Sequence, residues 1–591
     1  MNDIAQVAVF FILLIGLAPL LGRYMARVFQ GQRTFLAPVL QPIERLTYRL
    51  TGVAPEEEMS WLKYFLAVLI FNVVGLLVLW ALEMTQSWLP LNPQKLPNVP
   101  WDLALNTAIS FVTNTNWQAY AGETTMSYFT QMTGLTVHNF LSAATGIGIL
   151  LAVARGFKRA TARSLGNFWV DMTRSVLYVL LPLSAILAVI LVSQGVVQTF
   201  KGYPTANLVE TYSAPTPKLD DKGNPIKGAD GQPVMENVVV STQPIAVGPT
   251  AAQIAIKQLG TNGGGFFGQN SAHPFENPTP LSNFCELFAL VIIAASLVYC
   301  FGLMVGDVRH ARVLFGVMLL LFVAAFGVAW WAECQPDPIT HNILPNMEGK
   351  EQRFGVMNSV LWAIATSGTS CGAVNSMHDS FSPLGGLMPL WNLMLGCIVF
   401  GGVGAGLYGI IMHVLLTVFI AGLLVGRTPE YLGKKIQAWE AGWAVAGIMI
   451  PNLIILFGSA WAVMTATGVA SMNNGGPHGL SEVFYAYASA ANNNGSAFAG
   501  LNANTLFYNL TLGAAMFLGR FGVAFAVLAI AGNLAAKKTI PASAGTLPTN
   551  GLTFACALLG VIVIVAALTF FPALCLGPIV EHGLMQAGRI F

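Results

Sequence analysis

The sequence predicts an all-α polytopic membrane protein of ten transmembrane helices, built as four helix–pore-helix–loop–helix repeats in pseudo-fourfold arrangement plus two flanking helices. Three observations carry that expectation. Of 591 residues, 55% are apolar and only 9% are charged, whereas ordinary soluble domains carry about 25% charge. Apolar runs of ~20 residues, enough to cross a bilayer core, recur along the whole chain. Four short polar stretches, TNTNWQ at 113–118, TNGGGF at 261–266, TSGTSCGAVN at 366–375 and NNNGSAF at 492–498, are each wedged between such runs.

On the length criterion the spans fall near 4–24, 62–84, 135–155, 175–198, 283–305, 312–332, 388–425, 441–468, 504–530 and 552–578. Lys and Arg collect in five places: Arg23, Arg27, Arg33, Arg45 and Arg49; Arg155, Lys158, Arg159, Arg163 and Arg174; Arg309 and Arg312; Arg427, Lys434 and Lys435; Lys537 and Lys538. These clusters follow spans one, three, five, seven and nine. Because cytoplasmic loops hold the excess of positive charge, those five connections are expected inside and both termini outside. One missed span would scramble the alternation, so it checks the helix count. The first run has only Asp3 ahead of it and no basic n-region, and is expected to be a retained helix rather than a cleaved signal.

All four polar stretches land in outside-facing connections. Each follows a short apolar segment, at 101–112, 247–260, 354–365 and 481–491, too short to span and suited to a re-entrant pore helix. The expected organisation is a first helix and basic loop (1–60), repeat 1 (61–160), repeat 2 (161–310), repeat 3 (311–435), repeat 4 (436–540) and a last helix (541–591). Irregular polar backbone at membrane depth is tolerated only where it lines a water-filled cavity or is buried in protein. Four such loops around one axis can aim carbonyl oxygens at it and replace the hydration shell of an ion. None of the four holds an acidic residue, which favours carbonyl selection of a large monovalent cation over a divalent one. The broken helices of secondary transporters offer another origin for such loops, but those come in pairs, and here there are four.

The seventh run, 388–425, is nearly twice one span, and its middle holds Gly401, Gly402, Gly404, Gly406 and Gly409. Each glycine costs a helix about 1 kcal/mol relative to alanine. Two half-helices are therefore expected, joined by a loop under the third filter segment; glycines for close helix packing leave the excess length unexplained. Arg427 closes this run and is either an orientation anchor or a positive barrier to cation leakage. Gln118 either bonds filter backbone or faces outer water. Glu123, Glu276 and Glu286 flank the outer mouth, to concentrate cations or simply as solvated charges. The polar insertion 201–244, with Asp220, Asp221 and Asp230 in turn-forming contexts, is expected to form a hairpin or small external cap.

Several functions are excluded by pattern. Net charge is +2 with no basic run carrying interleaved aromatics, and no phosphate-loop, zincin or serine-elbow motif occurs. The seven cysteines show no CxxC spacing and read as free thiols, without transition metal or covalent cofactor.

The four stretches, extended to TNTNWQAYAGETTMSYFTQM at 113–132, GTNGGGFFGQNSAHPFENPT at 260–279, TSGTSCGAVNSMHDSFSP at 366–383 and NNNGSAF at 492–498, resemble the channel-like A-subunit family of the bacterial Kdp potassium-importing ATPase, from about residue 60 to 575. The resemblance implies a potassium-binding subunit, itself non-hydrolytic, in the bacterial inner membrane. A separate P-type ATPase subunit (KdpB) would use ATP, and small subunits (KdpC, KdpF) would complete the complex. Ions would leave below the filter through an intersubunit tunnel. The family's ion-coordinating positions match Asn114, Thr115, Asn262, Gly263, Ser370, Cys371, Gly372, Asn493, Asn494 and Gly495, with Asn116 and Gly264 beside them in the same stretches. Its filter glutamine matches Gln118 and its broken-helix arginine Arg427, which favours the barrier reading. The alternative is a gradient-driven Trk/Ktr-type potassium channel or symporter.

Overall fold

Among the described residues, ten helices are long and apolar enough to cross a membrane. The computed structural model describes residues 3–218, 234–336, 338–339, 345–424, 426, 429–541 and 546–589. In chain order the helices are α1 (Asp3–Phe29), α2 (Ala37–Thr51), α3 (Trp61–Met84), α4 (Trp101–Val112), α5 (Thr130–Lys158), α6 (Phe168–Ser193), α7 (Thr250–Leu259), α8 (Pro280–Val305) and α9 (Val308–Glu333). They continue with α10 (Gly355–Gly368), α11 (Pro383–Met394), α12 (Gly402–Leu424), α13 (Ala438–Val463), α14 (Gly476–Ala491), α15 (Leu506–Ala536) and α16 (Leu552–Gln586).

The order outer helix, short helix, polar loop, inner helix occurs four times: α3–α4–α5, α6–α7–α8, α9–α10–α12 and α13–α14–α15. In every repeat the helix after the loop is the more buried partner. The buried share of its apolar window is 83, 72, 67 and 67%, against 28, 39, 50 and 39% for the helix before it. The inner helices thus form the core and the outer ones face lipid, while α1 and α16, at 17% and 28%, flank the bundle. Local chemistry sets the ends. Ser60 caps α3, Asn167 caps α6 and Thr505 caps α15 through side-chain oxygens, and Thr279 with Ser282 builds a capping box on α8.

Across 388–425, where two half-helices joined by a loop are expected, the chain forms α11, an irregular turn that runs into the first residues of α12, and the rest of α12. At Val403 (φ −52°, ψ 95°) and Gly404 (φ 92°, ψ −41°) the backbone leaves helical geometry, and a positive φ of that kind suits glycine. The basic connections gather at one end of the bundle. There Arg155 pairs with Asp171, Arg159 pairs with Glu58, and Lys434 donates to the carbonyls of Arg159 (2.6 Å) and Lys537 (2.7 Å). At the opposite end the insertion forms an antiparallel hairpin, β1 (Thr205–Pro217) with β2 (Met235–Pro244). The Tyr128 hydroxyl ties its base by donating to Lys201 O and Val247 O. Asp220, Asp221 and Asp230 lie outside the described residues.

Candidate functional site

Each short helix α4, α7, α10 and α14 ends on the same backbone device. The N–H groups of Thr115, Asn262, Cys371 and Asn494 each donate to a carbonyl five residues back, on Ser110, Lys257, Thr366 and Ser489, at 2.8–3.1 Å. On either side of that residue the chain turns left-handed. The first turn is at Asn114, Thr261, Ser370 and Asn493 (φ 47–65°), the second at Asn116, Gly263, Gly372 and Gly495 (φ 54–91°). Four loops of unlike sequence therefore share one conformation and one register, and backbone held in this sparsely populated region clusters at functional sites.

The loops close on one another in cyclic order. Asn114 donates to Thr261 O at 2.9 Å, joining loop 1 to loop 2. A Cβ at Gly263 would overlap Cys371 O, and the Cys371 thiol lies 3.7 Å from Gln258 Oε1, joining loop 2 to loop 3. Ser370 Oγ donates to Asn493 O at 2.7 Å, and Gly372 abuts Asn494 O, joining loop 3 to loop 4. Asn493 Nδ2 donates to Thr115 Oγ1 at 3.0 Å, and Gly495 abuts Thr115 O, closing the ring. All four contacts are tangential, so the loops form a single circle of neutral oxygen donors. The amides of Asn116 and Asn262 turn toward α5, donating to Asn139 Oδ1 (2.6 Å) and Ser142 Oγ (3.1 Å). Carbonyls one residue further on are held from behind instead. Trp117 O accepts from Ser110 Oγ, Gly264 O from Lys257 Nζ (2.9 Å) and Ala373 O from Trp362 Nε1 (2.8 Å).

The set Asn114, Thr115, Asn116, Asn262, Gly263, Gly264, Ser370, Cys371, Gly372, Asn493, Asn494 and Gly495 is thus brought together in the four loops. In loop 2, however, the shared register starts one residue earlier, at Thr261, which sequence pattern alone passed over. Gln118 bonds the backbone of loop 2: its Oε1 accepts from Gly265 N (2.9 Å) and its Nε2 donates to Gly265 O (3.1 Å), stitching loop 1 to loop 2. Arg427 lies outside the described residues.

Above the ring is an open vestibule of ≈ 600 Å³ lined by Asn116, Gln118, Gly264, Gly372 and Gly495 among others. Glu276 and Glu286, expected at this mouth, are instead fully buried behind loop 2. Glu276 pairs with Lys257 Nζ at 2.6 Å and accepts from Phe267 N, while Glu286 accepts from Gln258 and Ser271. Burial pushes the Glu276 carboxyl above the usual range, against the pull of the ammonium. Glu123 accepts from Gly268 N (2.8 Å). Neither a solvated charge nor an acidic lure describes Glu276 and Glu286, since both hold the loop in place.

Below the ring sits the glycine-broken turn. Val403 N donates to Thr261 Oγ1 at 2.8 Å, and a Cβ at Gly402 would lie 3.5 Å from Ser370 Cβ. The turn expected under the third segment therefore touches the second as well. Gly404 packs on the Gly146 carbonyl of α5, a contact that leaves no room for a side chain. Beside it lies Arg520 of α15, only 5% exposed, its guanidinium 3.4 Å from Ser142 O. A cavity of ≈ 70 Å³ opens between Ser370, Asn492, Asn493, Gly406, His413 and Arg520, and its far wall is Ile562, Val565 and Ala566 of α16. Sequence pattern missed Arg520 and Lys257. The signal was present, because a lone arginine inside an apolar span is a functional hypothesis by default.

The architecture defines a polytopic helical membrane protein with four re-entrant loops in pseudo-fourfold arrangement. The family described as KdpA, potassium-transporting ATPase A subunit, matches residues 8–583, and the chain belongs to that family. It is 55% identical to the potassium-transporting ATPase potassium-binding subunit of Methylococcus capsulatus over 593 residues, all of both chains. It is 56% identical to the same-named protein of Geotalea uraniireducens over 586 residues, 98% of this chain and 99% of that one. Among solved structures it is similar to the potassium transporter TrkH of Vibrio parahaemolyticus, with a TM-score of 0.48 and 14% identity over 88% of this chain and 96% of that one.

Proposed function

We propose that the chain is the potassium-binding and translocating subunit of a high-affinity, ATP-driven import complex. Potassium is taken from the periplasmic vestibule, stripped of water by the carbonyl ring of the four loops, and passed to a P-type ATPase subunit (KdpB), with KdpC and KdpF completing the assembly. The single observation that carries this reading is the cyclic closure of the loops, which supplies a full circle of uncharged oxygens and no carboxylate. The filter is formed from Asn114 to Asn116, Asn262 to Gly264 with Thr261, Ser370 to Gly372 and Asn493 to Gly495.

Below the ring the direct path meets the glycine-broken turn and the Arg520 guanidinium. A unit charge ~8 Å from an ion at an effective dielectric near 20 opposes it by about 2 kcal/mol. The open space runs sideways to α16, which supports an exit through the subunit wall into the partner rather than straight through. Arg427, three residues beyond Leu424 in sequence, is assigned to the same barrier through its match to the family arginine. The protein lies in the bacterial inner membrane with the basic connections in the cytoplasm and both termini periplasmic. It hydrolyses no ATP itself and needs potassium as substrate rather than a resident cofactor.

The test is potassium uptake in a potassium-auxotrophic bacterium, with ATP hydrolysis measured on protein purified from membranes. Potassium-stimulated turnover in the complex and none in the isolated subunit is expected. Uptake that persists without ATP or a partner subunit would instead place the chain with gradient-driven transporters.

A further inference from the structure

Helix α2 lies in the connection between α1 and α3, so it sits at a membrane surface rather than within the bilayer. A buried carboxylate fixes its roll. Glu44 accepts from Tyr48 OH (2.9 Å), Arg174 Nε (2.8 Å) and Tyr178 OH (2.7 Å), which turns the Glu44–Tyr48 face onto α6. The opposite face is thereby presented outward, and it is apolar. Val39, Ile43, Leu46 and Leu50 recur at spacings of three and four and remain 44–77% exposed, a single stripe on the helix, with Phe35 (79% exposed) just ahead of it. Gly52 in left-handed geometry (φ 67°) ends the helix and stops the stripe there.

Around this stripe the charge has one sign. Arg23, Arg27, Arg33, Arg45 and Arg49 are exposed, and none has an ion-pair partner among the described residues. The nearby carboxylates are otherwise engaged: Glu44 inward, Glu57 with Lys63 and Glu58 with Arg159, leaving Glu56 beyond the helix end. An outward apolar stripe flanked by basic side chains, next to the end of a span, matches the physics of a helix lying in a lipid interface, where arginines meet anionic headgroups.

We infer that α2 is an interfacial anchor that binds anionic phospholipid on the basic side of the membrane, and that its arginines make the protein sensitive to the anionic lipid content there. Each basic residue near such a surface is worth about fivefold in affinity, so Arg45 and Arg49 together supply ~20- to 30-fold.

The experiment places p-benzoylphenylalanine at Leu46 in the membrane-extracted protein with its co-purifying subunits. The sample is reconstituted in phosphatidylcholine alone, or in equal parts phosphatidylcholine and phosphatidylglycerol, illuminated, and examined by mass spectrometry. A lipid adduct richer in phosphatidylglycerol than the bulk mixture, with that enrichment abolished by Arg45→Gln plus Arg49→Gln, is expected. An adduct to another protein subunit would overturn the inference, as would no adduct or an adduct matching bulk lipid composition. Because both arginines are exposed, the double variant is expected to keep the wild-type thermal midpoint in detergent. A lowered midpoint would show that they brace the fold, and would also overturn the assignment.

Discussion

Replacing Gly372 with serine tests the filter at the junction of loops 3 and 4. Gly372 has φ +91°, and a Cβ there would overlap Asn494 O and stand 2.8 Å from Gly495 C. That distance is about 0.6 Å short of ordinary contact at 3.4 Å. Holding an L-residue in left-handed backbone costs roughly 1–2 kcal/mol, and relief of the overlap must push loops 3 and 4 apart at the point where their carbonyls meet. With tenfold per 1.4 kcal/mol, the half-saturating potassium concentration for uptake should rise about 10- to 100-fold. Discrimination against rubidium and sodium should fall with it, because the ring no longer holds one size. Gly316→Ala is the control, since its Cβ meets nothing within 4 Å, and it should behave as wild type. Tracer uptake with membrane protein levels matched is the assay. Wild-type half-saturation and ion preference in Gly372→Ser would refute the claim that these carbonyls are the selecting ring.

Further outcomes are open to measurement. Arg520→Gln removes the positive charge beside the turn and should let potassium run down its gradient without ATP, seen as uncoupled efflux from proteoliposomes. Lys257→Met strands Glu276 in a buried site, a loss of about 3–5 kcal/mol; the thermal midpoint should drop and recover substantially when Glu276→Gln is added. Gln118→Arg breaks the two-way bond to Gly265 and sets a cation at the vestibule floor, so the potassium requirement for growth should rise. His478, at the outer end of α14, donates to Asp379 (2.8 Å) and Glu581 (2.7 Å). Burial works against its charge, but the two carboxylates prevail and push it up to about 10. A folded pKa raised above the unfolded ~6.5 gives stabilisation that is full below about 6.5, shrinks as pH rises and is gone above about 10. His478→Gln should remove that alkaline slope from the pH profile of the thermal midpoint.

Much of the fold was legible because hydrophobic length is a direct physical signal. Runs such as 62–84 and 283–305 fall within a few residues of α3 and α8, and the excess length with clustered glycines at 388–425 marked the break before α12. The four loops were legible because polar, glycine-rich backbone between spans must either line a cavity or be buried in protein. What escaped was register and back-side chemistry. Pattern placed loop 2 on Asn262, Gly263 and Gly264, since three consecutive glycines blur where the left-handed turns begin; only the Asn262 N–H bond to Lys257 O puts Thr261 level with Ser370. Glu276 and Glu286 read as mouth charges because sequence cannot say which way a carboxylate after a re-entrant loop turns. Their partners, Lys257 and Gln258, lie one helix away in space.

Repeat 2 departs from its siblings in two ways that belong together. At the position where repeats 1, 3 and 4 carry the hydroxyls of Ser110, Thr366 and Ser489, it carries the ammonium of Lys257. It also directs the hydroxyl of Thr261 downward to Val403 N, whereas Asn114, Ser370 and Asn493 direct their side chains sideways onto the next loop. A loop that gives up its lateral bond needs another source of rigidity, and the Lys257–Glu276 pair, bonded to Gly264 O and Phe267 N, supplies it from behind. The released bond then fastens the filter to the broken helix. A symmetric channel has no use for that link, because it opens straight beneath its filter. On the proposed sideways route, the same contact holds the turn beneath the ring, so the fourfold symmetry is broken on the side where an ion has to be kept from passing straight through.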